Sequence, residues 1–241
     1  MALPFSIVIP TYNEAAGIEK LLDALDATFR ANSLDGEIVV VDDNSPDGTG
    51  DVVERLSQRL PVRCLHRSGK LGLSSAVIDG WAVARPQSVA LGAMDADFSH
   101  DPSALPKMVA ALESGAYGLA VGSRYVPGGG IANWPARRVI TSRVACWLAR
   151  PLTPVKDVTS GYFLVRRDAL DGVTLDPIGF KIGLEVIAKA HYGRAIEIPY
   201  VFKDREAGES KLNQREIFNY LRQLRRLYSA ALVPAPKARK A

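Results

Sequence analysis

Met94 Asp95 Ala96 Asp97 Phe98 Ser99 His100 follows the apolar run Val89 Ala90 Leu91 Gly92 Ala93, so two carboxylates one residue apart stand where a buried strand would end. In α/β proteins, ligands gather at the carboxyl ends of parallel strands. Two carboxylates at such an edge repel each other, and an oxygen-loving divalent cation, Mg²⁺ or Mn²⁺ holding nucleotide phosphates, relieves the repulsion. An acidic turn that caps the helix after Asp101 and Pro102 accounts for the same residues without any ligand. Taken alone, the stretch leaves both readings open.

Working outward, strand-like and helix-like segments alternate. Ser6 to Pro10 reads as a strand, and Ala15 to Asn32 as a helix with Ile18, Leu21, Leu22, Leu25 and Phe29 on one face. Glu37 to Asp43 is a second strand ending in acids. The turn residues Asn44 to Thr49 lead from it into a helix that runs to Leu60. Val62 to His66 is a third strand, residues 74–84 a helix, and Gly118 to Val121 a further strand-like run. Such alternation predicts a mostly parallel sheet wound through right-handed crossovers. Pro10 to Glu14, Asp42 with Asp43, and Asp95 with Asp97 then meet on one sheet edge. Three acidic or polar segments placed alike favour a ligand site over three unrelated caps. No GxGxxG loop follows the first strand and no GxxxxGK[ST] occurs, which sets aside the dinucleotide and P-loop solutions.

At 241 residues with 47% hydrophobic content, the chain suits one large α/β domain. Cys64 and Cys146 lie far apart and form no CxxC pair, which argues against a disulfide framework or a zinc site and fits a reducing compartment. No signal peptide and no 18-residue apolar window are read, so the expectation is a cytoplasmic protein that spans no bilayer. From Lys203 onward ten Lys/Arg face four Asp/Glu, whereas the rest carries 20 basic and 22 acidic residues. The positive excess is therefore in the tail, but without aromatic interleaving or a zinc module it does not suggest a nucleic-acid partner.

The order Ile9 Pro10 Thr11 Tyr12 Asn13 Glu14, Val40 to Thr49, Met94 to His100 and Gly122 Ser123 Arg124 Tyr125 resembles the inverting family-2 glycosyltransferases of GT-A fold. Asp157 to Gly161, Gly179 and Phe180 with Glu185, and Asp204 to Leu212 resemble the dolichol-phosphate or polyprenol-phosphate mannose synthases among them. The resemblance covers roughly residues 5 to 215, and implies a single GT-A (Rossmann-like) catalytic domain over residues 1–215. A basic amphipathic helix and tail would follow over 216–241. It implies mannose transfer from GDP-mannose to a polyprenyl phosphate with inversion, UDP-glucose as donor or a non-lipid acceptor being the alternatives.

By the same resemblance Pro10, Tyr12, Glu14 and Asp42 hold the nucleoside, with Asp95, Ala96, Asp97, Arg205 and Lys211 completing the nucleotide-sugar site. Asp95 and Asp97, with Ser99 in doubt, would carry Mg²⁺ or Mn²⁺. Asp97, Arg124 and Arg205 are the expected catalytic residues, and Arg124 with Arg137 the acceptor-phosphate residues. Guanidinium forks suit a diphosphate donor and a phosphate acceptor. Ile140, Val144, Trp147 and Leu148, flanked by arginines, form a stripe that fits either an interfacial helix or a core-packed one. Ile217, Tyr220, Leu221, Leu224, Leu227 and Tyr228 recur at helical spacing, either as a peripheral anchor or docked on the domain or a partner. A lipid acceptor then requires the cytoplasmic membrane surface or a small membrane partner subunit.

Overall fold

A computed structural model describes residues 2–203 and 214–232. In chain order the elements are β1 (Phe5–Thr11), α1 (Ala15–Ala31), β2 (Gly36–Asp42), α2 (Thr49–Leu56), β3 (Val62–His66), α3 (Leu73–Val83), β4 (Ala90–Ala93) and α4 (Leu105–Glu113). They continue with β5 (Leu119–Ser123), β6 (Gly130–Ile131), α5 (Ala136–Ala149), β7 (Phe163–Arg166), α6 (Ile182–Lys189), β8 (Ala195–Pro199), β9 (Val201–Phe202) and α7 (Gln214–Leu232).

Seven strands form one sheet in the order β3-β2-β1-β4-β7-β5-β8, and β6 pairs with β9 in a small second sheet. Pairing is parallel except where β7 lies antiparallel between β4 and β5. The central strands are apolar on both faces because helices cover both. Ile7, Ile9, Ile38 and Val40 face α1, α2 and α4 through Leu21, Leu25, Val53 and Met108. Val8, Val39 and Val41 turn to the other side, against Val77 and Trp81 of α3 and the layer built by α5, α6 and α7. Gly80 lets α3 lie close: a Cβ there would stand 2.6 Å from a methyl of Val8.

The helix after β2 ends at Leu56, short of the expected Leu60; Pro61 leads directly into β3, and turn bonds from Arg59 and Leu60 to Leu56 fill the gap. The apolar positions of α7 divide. Tyr220, Leu224 and Leu227 are buried in the domain, whereas Ile217, Phe218 and Leu221 are exposed. Tyr220 Oη donates to the Ala145 carbonyl at 2.6 Å, and Gln223 Nε2 donates to Glu185 Oε2 at 2.9 Å. One face of α7 is therefore docked on α5 and α6. In α5 only Cys146 and Ala149 are buried; of the stripe, Ile140, Val144 and Trp147 are exposed, whereas Leu148 is half-buried against the core. Among the described residues no helix is long and apolar enough to cross a membrane.

Candidate active site

β4 delivers Asp95 and Asp97 to the carboxyl edge of the sheet, where the chain turns sharply. The Asp95 N–H donates to His100 Nδ1 at 2.9 Å, and the Ser99 N–H donates to Asp97 Oδ1 at 3.1 Å. Between them Phe98 adopts φ +58°, a left-handed conformation that costs a bulky residue and is tolerated where the surroundings over-determine it. His100 supplies much of that constraint: it is buried, stacked on Tyr162 at 5.0 Å and edge-on to Tyr200 and Phe202. Burial disfavours its imidazolium and lowers its pKa against the pull of Asp95 and Asp97. With Nδ1 accepting, the proton sits on Nε2, 3.8 Å from Asp95 Oδ2.

The two aspartates open into a cleft of about 270 Å³ whose floor also includes Pro10, Glu14 and Ala96. Arg124, Arg138 and Lys181 bring positive charge to its walls. Arg124 follows β5 and is nearly buried. Its Nε donates to Asp157 Oδ2 at 2.7 Å, and one terminal nitrogen donates to Asp157 Oδ1 at 2.6 Å and to Thr159 Oγ1 at 2.7 Å. Burial works against this charge, but the Asp157 hydrogen bonds outweigh it and raise the pKa above the ordinary arginine value. Asp157 is itself placed by Glu197, which accepts from its N–H at 3.0 Å and from Ser123 Oγ at 2.7 Å. Arg138 stacks 3.8 Å over the Trp134 ring. Lys181, just before α6, is brought down to about 8, mainly by burial and next by the Arg124 charge, with Asp95 and Asp157 opposing.

Beyond this polar end the walls become apolar. Val144 and Leu148 of α5 and Ile217 and Leu221 of α7 line this part, and Val144, Ile217 and Leu221 are also exposed to solvent.

Of the residues expected from the sequence, the structure brings Pro10, Glu14, Asp95, Ala96, Asp97 and Arg124 to one cleft. Tyr12, Asp42, Ser99 and Arg137 are not on its wall. Asp42 is buried at the end of β2, where it accepts from Thr11 Oγ1 at 3.2 Å and from the Ser45 N–H at 3.0 Å. Tyr12 lies beyond the cleft with Lys70 Nζ 3.8 Å over its ring. Ser99 is buried, and its hydroxyl has no hydrogen-bond partner among the described residues. Arg137 is exposed, and the helical phase of α5 gives the cleft its neighbour Arg138 instead. Arg205 and Lys211 lie outside the described residues. Lys181 and the Asp157 partner of Arg124 were not anticipated as site residues, although both fall within or beside motifs already singled out.

Asp95 and Asp97 fit a hard divalent cation. Both offer carboxylate oxygens at a partly exposed strand end, and Gly161 faces Asp95 with backbone alone, where a Cβ would stand 3.5 Å from Asp95 Oδ1. Ser99, walled off from the cleft, does not join them on this geometry.

Residues 6–174 match the family model described as glycosyl transferase family 2. The chain is 42% identical over 226 residues to a dolichol-phosphate mannosyltransferase of Pyrococcus furiosus, a match covering 92% of this chain and 63% of that protein. The chain thus spans less than two thirds of that relative's length. It is 39% identical to the dolichol-phosphate mannosyltransferase of Saccharomyces cerevisiae, covering 95% of this chain and 88% of that one. With the polyprenol monophosphomannose synthase of Mycolicibacterium smegmatis it shares 38%, over 88% of this chain and 82% of the other. Among solved structures, a mannosyltransferase from Pyrobaculum calidifontis in complex with GDP-Man and Mn²⁺ superposes with TM-score 0.66 at 19% identity, over 98% of this chain and 66% of that one, a likeness of fold. The chain belongs to glycosyltransferase family 2.

Proposed function

We propose that this chain transfers mannose from GDP-mannose to a polyprenyl-type lipid phosphate, giving the mannosyl lipid and GDP. One observation carries the reading: the cleft joins a carboxylate pair and three cations at one end to apolar walls at the other, which open onto exposed side chains of α5 and α7. A sugar nucleotide needs the first half, and a phosphate on a hydrocarbon chain needs both. The relatives' names support this donor and acceptor class.

The lipid phosphate is already an anion and attacks the anomeric carbon directly, so no strong general base is required. As the new phosphate–sugar bond forms, the bond from sugar to GDP breaks and the configuration inverts. Arg124, held rigid by Asp157, and Arg138 orient the attacking phosphate, while Lys181 offsets charge on the departing diphosphate. Asp95 and Asp97 would hold a divalent cation, which supplies further neutralisation of that diphosphate when bound. The Mn²⁺ that accompanies GDP-Man in the Pyrobaculum structure supports a divalent ion, and Mg²⁺ suits the same oxygen donors. Tyr12, just past β1, and Asp42, at the end of β2, extend the site toward the nucleoside, and Arg205 and Lys211, expected to complete it, lie outside the described residues.

A membrane-facing role for α5 and α7 completes the reading. Ile140, Trp147, Phe218 and Leu221 project beside Arg143, Arg222 and Arg225, a pattern suited to an apolar face dipping below anionic head groups. In this reading the cleft mouth meets the lipid surface on the cytoplasmic side, where sugar nucleotides are supplied.

The test is transfer of labelled sugar to polyprenyl phosphate in liposomes, from GDP-mannose and UDP-glucose in parallel. Mannosyl lipid from GDP-mannose alone is expected. Glucosyl lipid would reassign the donor, and no lipid product would remove the acceptor class.

A further inference from the structure

Far along the sheet edge from Asp95, three side chains of metal-ligand type converge at the outermost strand. Cys64 and His66 are two residues apart on β3, so both lie on one face, and Glu54 reaches them from α2. A sulfur, an imidazole nitrogen and a carboxylate oxygen there all lie within 4.8 Å of one another. His66 Nε2 is 3.0 Å from Glu54 Oε1. The ring is set by Gly50 in the first turn of α2: a Cβ at that position would stand 2.6 Å from His66 Cε1, so only glycine lets the helix and the imidazole meet.

The surroundings are anionic. Burial, then Asp42, Glu54 and Asp51, push the Cys64 thiol up to about 12. The carboxylates of Asp42, Glu54 and Asp51 around the sulfur favour a bound cation. The donor set is also unlike the oxygen pair at Asp95 and Asp97. Thiolate, imidazole and carboxylate together suit zinc, with bonds of about 2.0–2.3 Å, and neither Mg²⁺ nor Ca²⁺.

We propose that Cys64, His66 and Glu54 form a second divalent-cation site, for zinc or a similarly thiophilic ion, with water in the remaining position. On binding, the Cys64 S–H proton passes to solvent as the sulfur–metal bond forms, and the His66–Glu54 hydrogen bond is exchanged for two metal bonds. The ion then clips α2 to β3. Because His66 lies opposite Asp42 in the β2–β3 register, the clip also fixes the strand end that carries Asp42.

Co²⁺ titration of the full chain tests this, since only a thiolate ligand gives the near-ultraviolet sulfur-to-cobalt charge-transfer band. The band should grow to one equivalent, disappear when Zn²⁺ is added, and persist in Asp97→Ala and in Cys146→Ser. Cys64→Ser should abolish it with the circular dichroism spectrum unchanged. His66→Gln, at an exposed position, should weaken Co²⁺ affinity by about tenfold or more, since even groups that merely support metal ligands matter to that extent. No band in the wild-type chain, a band surviving Cys64→Ser, or unaltered affinity in His66→Gln overturns the site.

Discussion

Arg124 and Asp157 face each other across 33 residues of sequence as a buried two-pronged ion pair, and the Arg124 N–H adds a third bond to Asp157 Oδ2 at 2.9 Å. The pair fixes one cationic wall of the cleft from behind. Asp157→Ala would leave a guanidinium buried without its counter-charge, at a cost of about 3–5 kcal/mol. In a chain of this length that lowers Tm by roughly 6–20 °C, which differential scanning calorimetry reads. Transfer activity should fall with it, and an unchanged Tm would mean that Arg124 is held by something else.

The partnership also marks where the sequence stopped being legible. Local chemistry identified β1 to β4, their helices and the Asp95–Asp97 turn, because apolar runs ending in acids are written in consecutive residues. The antiparallel insertion of β7 is not so written: nothing in Phe163 to Arg166 itself specifies a direction, and its neighbours β4 and β5 choose it. Arg137 and Arg138 are equivalent in composition, and only the burial of Cys146 and Ala149, which sets the rotation of α5, decides which one meets the cleft. A lysine after Gly179 and Phe180 carries no signal in sequence until the fold brings Lys181 to the cleft beside Arg124 and Asp95. The docking of α7 through Tyr220 and Gln223 was likewise one of several readings its periodicity allowed.

Lys181 gives the site a pH dependence of definite sign. Its ammonium loses a proton near pH 8 in the free chain, below the ordinary lysine value, because burial and Arg124 disfavour the charge. If the charged form holds the diphosphate, donor KM should rise as pH climbs through about 8. In Lys181→Arg, where the charge persists, KM should stay flat across that range. An identical KM–pH profile in both proteins would separate Lys181 from donor binding. Stability moves the other way: the unfolded lysine keeps its proton up to about 10.4, so this group's penalty on folding is relieved between about pH 8 and that value.

Adjacent arginines on α5 should behave differently. Arg138→Ala should raise KM for the lipid phosphate by roughly tenfold or more, the loss of a charge-assisted contact worth about 1.5–3 kcal/mol. Arg137→Ala, at an exposed position off the cleft wall, should change it less than twofold, by the usual tolerance of surface sites. Steady-state kinetics against polyprenyl phosphate distinguish the two, and equal effects would contradict the helical phase described above.

Exposed Trp147 and Phe218 should govern attachment to lipid. The double substitution Trp147→Gln with Phe218→Gln removes two large apolar side chains from solvent-facing positions, so folding should be unaffected. Co-sedimentation with anionic liposomes should drop, and activity on liposome-borne acceptor should drop more than activity on a short-chain acceptor in detergent. Undiminished sedimentation would place the membrane contact elsewhere.

The role of the carboxylate pair at the end of β4 is decided by mannosyl transfer from GDP-mannose to polyprenyl phosphate by the wild-type chain and by Asp97→Ala, each with Mg²⁺, Mn²⁺ or chelator. Transfer by the wild type should be supported by either ion and stopped by chelator, and a folded Asp97→Ala should show none. Near-normal turnover in that variant, or turnover indifferent to chelator, would contradict that role.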